Sequence, residues 1–176
     1  QIRPEERLAL LILLYNILPS SNGLRGDCFV NLASLALSLS SIPANIDAVL
    51  NSVDESSPSW GFTPASLAAV YHSCYNIRRR IQTPFVARPL LTRALQLAVD
   101  EPASPISLLI ARDIVLLALS LPSHQVCLDV HISYDLLAVN PIVQSEQFVA
   151  AQPLLAQALA LFNDSSIAQI EAYLVS

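Results

Sequence analysis

The residues best suited to chemistry are a thiol and an imidazole in the second half of the chain. Cys127 and His131 are four residues apart, so on a helix their side chains would meet on one face. Such a pair can form an activated nucleophile or half of a zinc site. The surrounding sequence is apolar, however, and favours a buried cysteine beside a partly exposed histidine. We therefore expect neither a catalytic site nor a metal site, and we interpret His124 as a surface residue.

The other two cysteines offer no further chemistry. Cys28 and Cys74 lie in apolar stretches, and no pair of cysteines has CxxC spacing. His72 is two residues from Cys74, which places the two side chains on different faces of a helix. The chain has neither a glycine-rich phosphate loop nor a G-x-S-x-G elbow. These patterns predict a protein with no cofactor and no small-molecule substrate, in a reducing compartment such as the cytosol or the nucleus. Of the two, we expect the cytoplasm.

Three of the nine arginines form the only basic cluster in the sequence, Arg78-Arg79-Arg80. On a helix these three side chains fan over about 200°, so they do not form a flat patch. Three arginines at a helix C-terminus suit the helix macrodipole, and a capped, solvated helix end is the simplest interpretation. The alternative is a contact with an acidic partner surface or an RNA backbone, for which arginine is well suited.

The acidic residues point to structure rather than catalysis. Asp54-Glu55 and Asp100-Glu101 lie near predicted helix ends, beside proline or serine, where solvated turns need polar groups. Arg112-Asp113 falls inside an apolar helix, where a charge must be paired or reach an edge. We predict a structural ion pair for Arg112 and Asp113, within the chain or with a neighbouring subunit.

Composition excludes several classes of protein. The 176 residues are 53% hydrophobic and 13% charged, with a net charge of −5 and no lysine, which argues against a primary nucleic-acid binder. The run 8–18 is shorter than the roughly 20 residues of a membrane-spanning helix, and Arg112 and Asp113 interrupt the longer run 106–121. We do not expect the N-terminal run to be a signal peptide, because Glu5 and Glu6 lie where a signal peptide has basic residues.

Apolar residues at spacings of three and four, with only three glycines, predict an all-α fold. The breaks between helices recur about every 40 residues, close to the period of HEAT-type helical pairs. Helices over 8–18 and 106–121 are apolar nearly all round, which is typical of helices buried on more than one face. We expect one helical domain over residues 1–176, with the longest loop at 52–64, and Pro89 and Pro153 each in a first turn or at a kink. The predicted helices are 4–18, 24–41, 43–53, 63–82, 85–99, 105–121, 124–138 (broken), 146–162 and 166–175.

Several segments resemble one family. Residues 7–19, RLALLILLYNILP, resemble the Arg-Leu…Leu-Tyr-Asn-x-Leu-Pro segment of the subunit M family of eukaryotic translation initiation factor 3. Arg25 follows where that family has an arginine after the turn. Asp54 and Trp60 are similar to its segment of a hydrophobic residue, Asp, a short spacer and Trp.

The resemblance continues into the second half of the chain. Residues 135–137 and 141–143 are similar to the family's Asp-Leu-Leu and Pro-x-Val segments, and residues 148–173 to the stretch before its winged helix. The chain carries fewer charges than the family usually has, and it stops where the winged helix would begin, so we expect the helical part alone.

The resemblance implies a PCI-type protein, meaning a right-handed helical-repeat solenoid of the HEAT or TPR kind that leads into a winged helix. Proteins of this kind are non-catalytic scaffolds in initiation factor 3, the COP9 signalosome and the proteasome lid. It implies PCI-type and MPN-type subunits as partners and an indirect contact with the small ribosomal subunit. The alternatives are a subunit of the signalosome or lid, and a generic HEAT-type adaptor that binds peptides.

Overall fold

The computed structural model describes residues 1–101 and 104–120, and every regular element in that part is helical. This confirms the prediction of an all-α fold for the described residues. The chain divides into two compact units, Gln1–Leu90 and Leu91–Ser176. The elements are α1 (Pro4–Ile17), α2 (Gly23–Ser38), α3 (Ile46–Ser56), a 3₁₀ turn (Ser57–Ser59), α4 (Pro64–Ile81), α5 (Pro84–Ala98) and α6 (Pro105–Ser120).

Local capping residues explain where the helices of the first unit begin. The side chain of Asn22 accepts a hydrogen bond from the backbone N–H of Leu24 at 3.0 Å, at the start of α2. Thr63 accepts from the N–H of Ser66 at 3.2 Å, and Pro64 fills the first position of α4, where no N–H is needed.

The region predicted as a long loop is mostly helical. Helix α3 runs from Ile46 to Ser56 rather than over 43–53, and the 3₁₀ turn follows at once. The helix continues because its buried apolar positions continue, with Val53 buried one turn after Val49. Pro58 then ends it, since proline lacks the N–H that a further α-helical turn would require.

Helix α5, which begins in the first unit and ends in the second, and helix α6 each bury an apolar stripe. Ile110, Ala111, Ile114 and Leu117 of α6 are buried at helical spacing, which accounts for its place in the core. Pro89 is the sixth residue of α5, so it lies beyond the first turn. The predicted helices 124–138, 146–162 and 166–175, and Pro153, lie outside the described residues.

An aromatic cluster forms the centre of the first unit, where α1 packs on α2 and also contacts α3. The Trp60 ring lies 5.8 Å from Phe29 and 6.4 Å from Tyr15, centroid to centroid, and Phe62 lies 5.6 Å from Trp60. These are the distances at which tilted and edge-to-face aromatic pairs are stabilising. The cluster connects α1, α2 and the segment that follows the 3₁₀ turn.

One glycine makes this packing feasible. A Cβ on Gly26 would lie 2.8 Å from Cζ of Phe62 and 2.9 Å from Cδ2 of Trp60, closer than carbon atoms approach in proteins. The two rings therefore use the space that a side chain on α2 would occupy. Gly23, one turn earlier, is less crowded, because its Cβ would be 3.4 Å from the carbonyl oxygen of Trp60.

We predict that Gly26→Ala lowers the free energy of unfolding by about 2 kcal/mol, because the added methyl group overpacks the aromatic cluster. Gly23→Ala is the matched control, also within α2, and it should change stability by less than about 0.5 kcal/mol. Urea denaturation followed by tryptophan fluorescence measures both variants. Equal effects of the two substitutions would contradict the proposed crowding.

Candidate functional site

The most unusual surface of the described chain is the solvent-facing side of α1. Four aliphatic side chains, Leu10, Leu13, Leu14 and Ile17, are 54%, 56%, 46% and 69% exposed. They follow the spacing i, i+3, i+4 and i+7, so they lie within an arc of about 100° on one side of the helix. We call these four residues the outer stripe of α1.

The opposite side of the same helix is its anchor to the core. Leu8, Ile12 and Tyr15 are buried there, and the Tyr15 hydroxyl is hydrogen-bonded to Ser52 Oγ at 2.8 Å. The prediction that residues 8–18 are buried on more than one face is therefore wrong for this unit, since one face is buried and the opposite one is exposed. Contiguous exposed aliphatic surface is typical of a site that another protein covers.

Charged residues mark only one end of the outer stripe. At the N-terminal end, the Arg3 guanidinium donates to Glu6 at 2.7 Å, and Arg7 is exposed one turn before the leucines. At the C-terminal end, the last turn of α1 contains no basic residue. The carbonyl groups there carry the negative end of the helix dipole without a cationic side chain from their own helix.

Beside α1, an arginine is stacked on the aromatic cluster. The guanidinium carbon of Arg25 lies 4.3 Å from the centroid of the Tyr15 ring, within cation–π distance. Two buried nitrogen atoms, Nε of Arg25 and Nε1 of Trp60, have no hydrogen-bond partner within the described part of the chain. Leaving buried donors unpaired costs stability, which the aromatic packing around them must offset.

Two arginines of the triplet, Arg78 and Arg80, donate hydrogen bonds to other helices of the protein. Arg78 donates to the carboxylate of Asp47 and, at 2.9 Å, to Oδ1 of Asn51, so it ties α4 to the first turns of α3. Arg80 donates to the carbonyl oxygens of Leu37 and Leu39 at 3.0 and 2.6 Å. It thereby supplies donors to the C-terminal end of α2, whose last carbonyls have no partners within their own helix.

The middle residue of the triplet is placed differently. Arg79 is exposed, and its guanidinium carbon lies 5.7 Å from the ring centroid of Tyr75 on the same helix. The contact of Arg78, Arg79 and Arg80 with a partner or RNA stays a prediction, and Arg79 is the member best placed for it.

We predict that Arg80→Ala lowers the free energy of unfolding by about 1 kcal/mol, since two carbonyl groups lose a charged donor. Arg79→Ala, the matched control on the same turn, should lower it by less than about 0.5 kcal/mol. The two variants are compared by urea denaturation. A larger loss for Arg79→Ala than for Arg80→Ala would contradict the assigned contacts.

The other charged residues singled out in the sequence fall in different places. Asp54 accepts a hydrogen bond from the Tyr71 hydroxyl at 2.6 Å, so it joins α3 to α4. Asp113 is buried in α6, whereas the side chain of Arg112 lies outside the described part of the structure, and their ion pair stays a prediction. His124, Cys127 and His131 also lie outside the described residues.

The described thiols, Cys28 and Cys74, are both buried. Burial raises the pKa of the Cys28 thiol, which donates to the carbonyl oxygen of Leu11 at 3.4 Å. Burial is also the main cause that raises the pKa of Cys74, and Asp54 adds to it while Arg78 opposes it. His72, expected on a face different from that of Cys74, is buried as well. A raised thiol pKa leaves little thiolate for nucleophilic attack or metal binding.

We predict that Cys28 and Cys74 resist alkylation by iodoacetamide at pH 8 in the folded protein, at least about tenfold relative to the urea-unfolded chain. Peptide mapping by mass spectrometry after timed alkylation separates the two residues from Cys127. Rapid labelling of Cys74 in the folded protein would show that its thiol is not buried.

Among the described residues, no group of three or more His, Cys, Asp or Glu side chains is arranged to hold a metal ion. In the same part of the chain, no helix combines the length and apolar character needed to cross a bilayer. Comparison with protein-family models, curated proteins and solved structures found no match for this chain. The outer stripe of α1 is the candidate functional site, because contiguous exposed aliphatic side chains are typical of a surface that another protein covers.

Proposed function

We propose that this chain is a non-catalytic scaffold subunit of the translation initiation factor 3 complex. It acts in the cytoplasm through protein–protein contacts in assembly of the small-subunit initiation complex. The single observation that carries the proposal is the outer stripe of α1, Leu10, Leu13, Leu14 and Ile17. Exposing aliphatic side chains of this kind to water costs free energy. In a permanent complex, neighbouring subunits cover such a surface.

The position of the stripe supports the link to the initiation factor. Residues 7–19, which resemble the subunit M family most specifically, span most of α1 and the start of the turn that follows. The same segment thus supplies both the buried face and the exposed face of the helix.

Three residues of the resemblance lie together, namely Tyr15 from residues 7–19, Arg25 and Trp60. Arg25 stacks on Tyr15, and the ring of Tyr15 is 6.4 Å from that of Trp60. The resemblance therefore involves residues that share one packing cluster, as expected if it reflects a common fold. The arrangement of these side chains supports the resemblance independently of their order in the sequence.

We extend the proposal to the architecture, a right-handed solenoid of helical pairs of the HEAT or TPR kind. Supporting it are the breaks at intervals of about 40 residues and the packing of α1 on α2 and of α2 on α4. In such a stack each pair covers the apolar face of the next, so an outer helix presents an apolar face to whatever follows.

The test is purification of the tagged chain from its own cells, followed by identification of the bound subunits. We expect initiation factor 3 subunits in fixed proportion, together with the small ribosomal subunit that they recruit. Recovery of COP9 signalosome or proteasome-lid subunits would replace the proposal by another PCI-type complex. Recovery of the chain alone would overturn the scaffold role.

We predict that Leu13→Arg lowers recovery of the partner subunits at least tenfold, because a charge is introduced into a desolvated interface. Val30→Arg is the matched control, since Val30 is 50% exposed on α2 and lies outside the outer stripe. Circular dichroism checks that both variants remain helical. Unchanged recovery with Leu13→Arg would show that partners bind elsewhere.

A further inference from the structure

The outer stripe of α1 has the pattern of one seam of a two-helix coiled coil. Leu10, Leu13, Leu14 and Ile17 repeat the three-and-four spacing that brings side chains of two helices into register over one heptad. Arg3 and Glu6 continue the same seam toward the N-terminus, where they are paired with each other at 2.7 Å. Within α1 the apolar part of the seam therefore covers one heptad only.

We infer that in the isolated protein the outer stripe binds the outer stripe of a second copy, with the two α1 helices antiparallel. This inference rests on the proposed function, whose docking surface it uses, and it names the partner that the chain takes when other subunits are absent. The two-fold arrangement places Leu13 against Leu14 of the second copy and Leu10 against Ile17 of the second copy. Each stripe then contacts the same stripe of the other copy, as a two-fold interface requires.

Charge complementarity selects the antiparallel orientation. In this register Arg7 of one copy lies beside the C-terminal end of the other copy's α1, which has no basic residue in its last turn. A cation is stabilising next to the free carbonyl groups of a helix C-terminus. A parallel pair would instead place both Arg7 side chains and both positive helix ends together, which is unfavourable.

The size of the stripe sets the strength of the pairing. Four half-exposed aliphatic side chains from each copy make a small interface beside the roughly 1,200–2,000 Å² that specific complexes bury. We therefore expect a reversible dimer with a Kd on the order of 10–100 µM. A neighbouring subunit with a larger interface would displace the second copy.

Sedimentation equilibrium of the purified chain, from about 1 to 500 µM, tests the pairing. We expect a monomer–dimer equilibrium in which Leu13→Arg raises the Kd about tenfold or more and Arg7→Ala raises it about threefold to tenfold. Val30→Arg is the control and should leave the Kd unchanged. A monomer throughout this range would overturn the inference, as would a dimer that Leu13→Arg leaves intact. Circular dichroism confirms that each variant is folded.

Cysteine cross-linking tests the orientation. Under mild oxidation an equal mixture of Leu10→Cys and Ile17→Cys chains should form a disulfide between the two substituted positions, identified by peptide mapping. Leu10→Cys alone should form far less dimer through that position, because antiparallel packing separates the two residues 10 by about 10 Å along the helix axis. Efficient self-cross-linking of Leu10→Cys would show a parallel pair and contradict the proposed orientation.

The two proposals fail in distinguishable ways. A chain that copurifies with initiation-factor subunits but stays monomeric when isolated would refute the self-pairing and leave the scaffold role standing. A chain that dimerises through the outer stripe but copurifies with no initiation-factor subunits would refute the scaffold role and leave the self-pairing standing.

Discussion

The packing of Trp60 against α2 at Gly26 is the constraint on which the first unit depends. A side chain at Gly26 would collide with Trp60 and Phe62, so the rings can reach the core only because that position has no Cβ. The position of Trp60 in turn sets the environment of Tyr15, on which Arg25 stacks. Tyr15 lies on the buried face of α1, so the aromatic contacts decide which face of that helix turns inward and which faces water.

The orientation of α1 has a direct bearing on function. Because the helix is apolar on opposite sides, hydrophobicity alone would allow either face to be buried in the core. The buried face contains Tyr15, whose ring fits the aromatic cluster and whose hydroxyl pairs with Ser52. The outer stripe contains only leucine and isoleucine, whose side chains form no hydrogen bonds. It is suited to another helix with a similar stripe rather than to a ligand that needs hydrogen bonds.

Sequence reasoning predicted the helices well where local signals mark them. Thr63-Pro64 and Pro84 set helix starts within a residue of the observed ones, since capping and the missing proline N–H act over one turn. It misplaced α3, because Pro43 was taken as a start and the apolar residue Val53 as the end. The partners of Arg78 and Arg80 could not be predicted, because their acceptors lie 27 to 43 residues away in the chain. For the same reason no local pattern shows which apolar face of α1 stays in solvent.

The contact of Arg80 with α2 also has a consequence for the order in which the chain acquires its structure during synthesis. The carbonyl groups of Leu37 and Leu39 receive their charged donor from a residue 43 and 41 positions later. Until the ribosome has released the end of α4, the C-terminal turn of α2 must rely on water for those hydrogen bonds. The last turn of α2 thus receives these two hydrogen bonds only when α4 has folded back onto it.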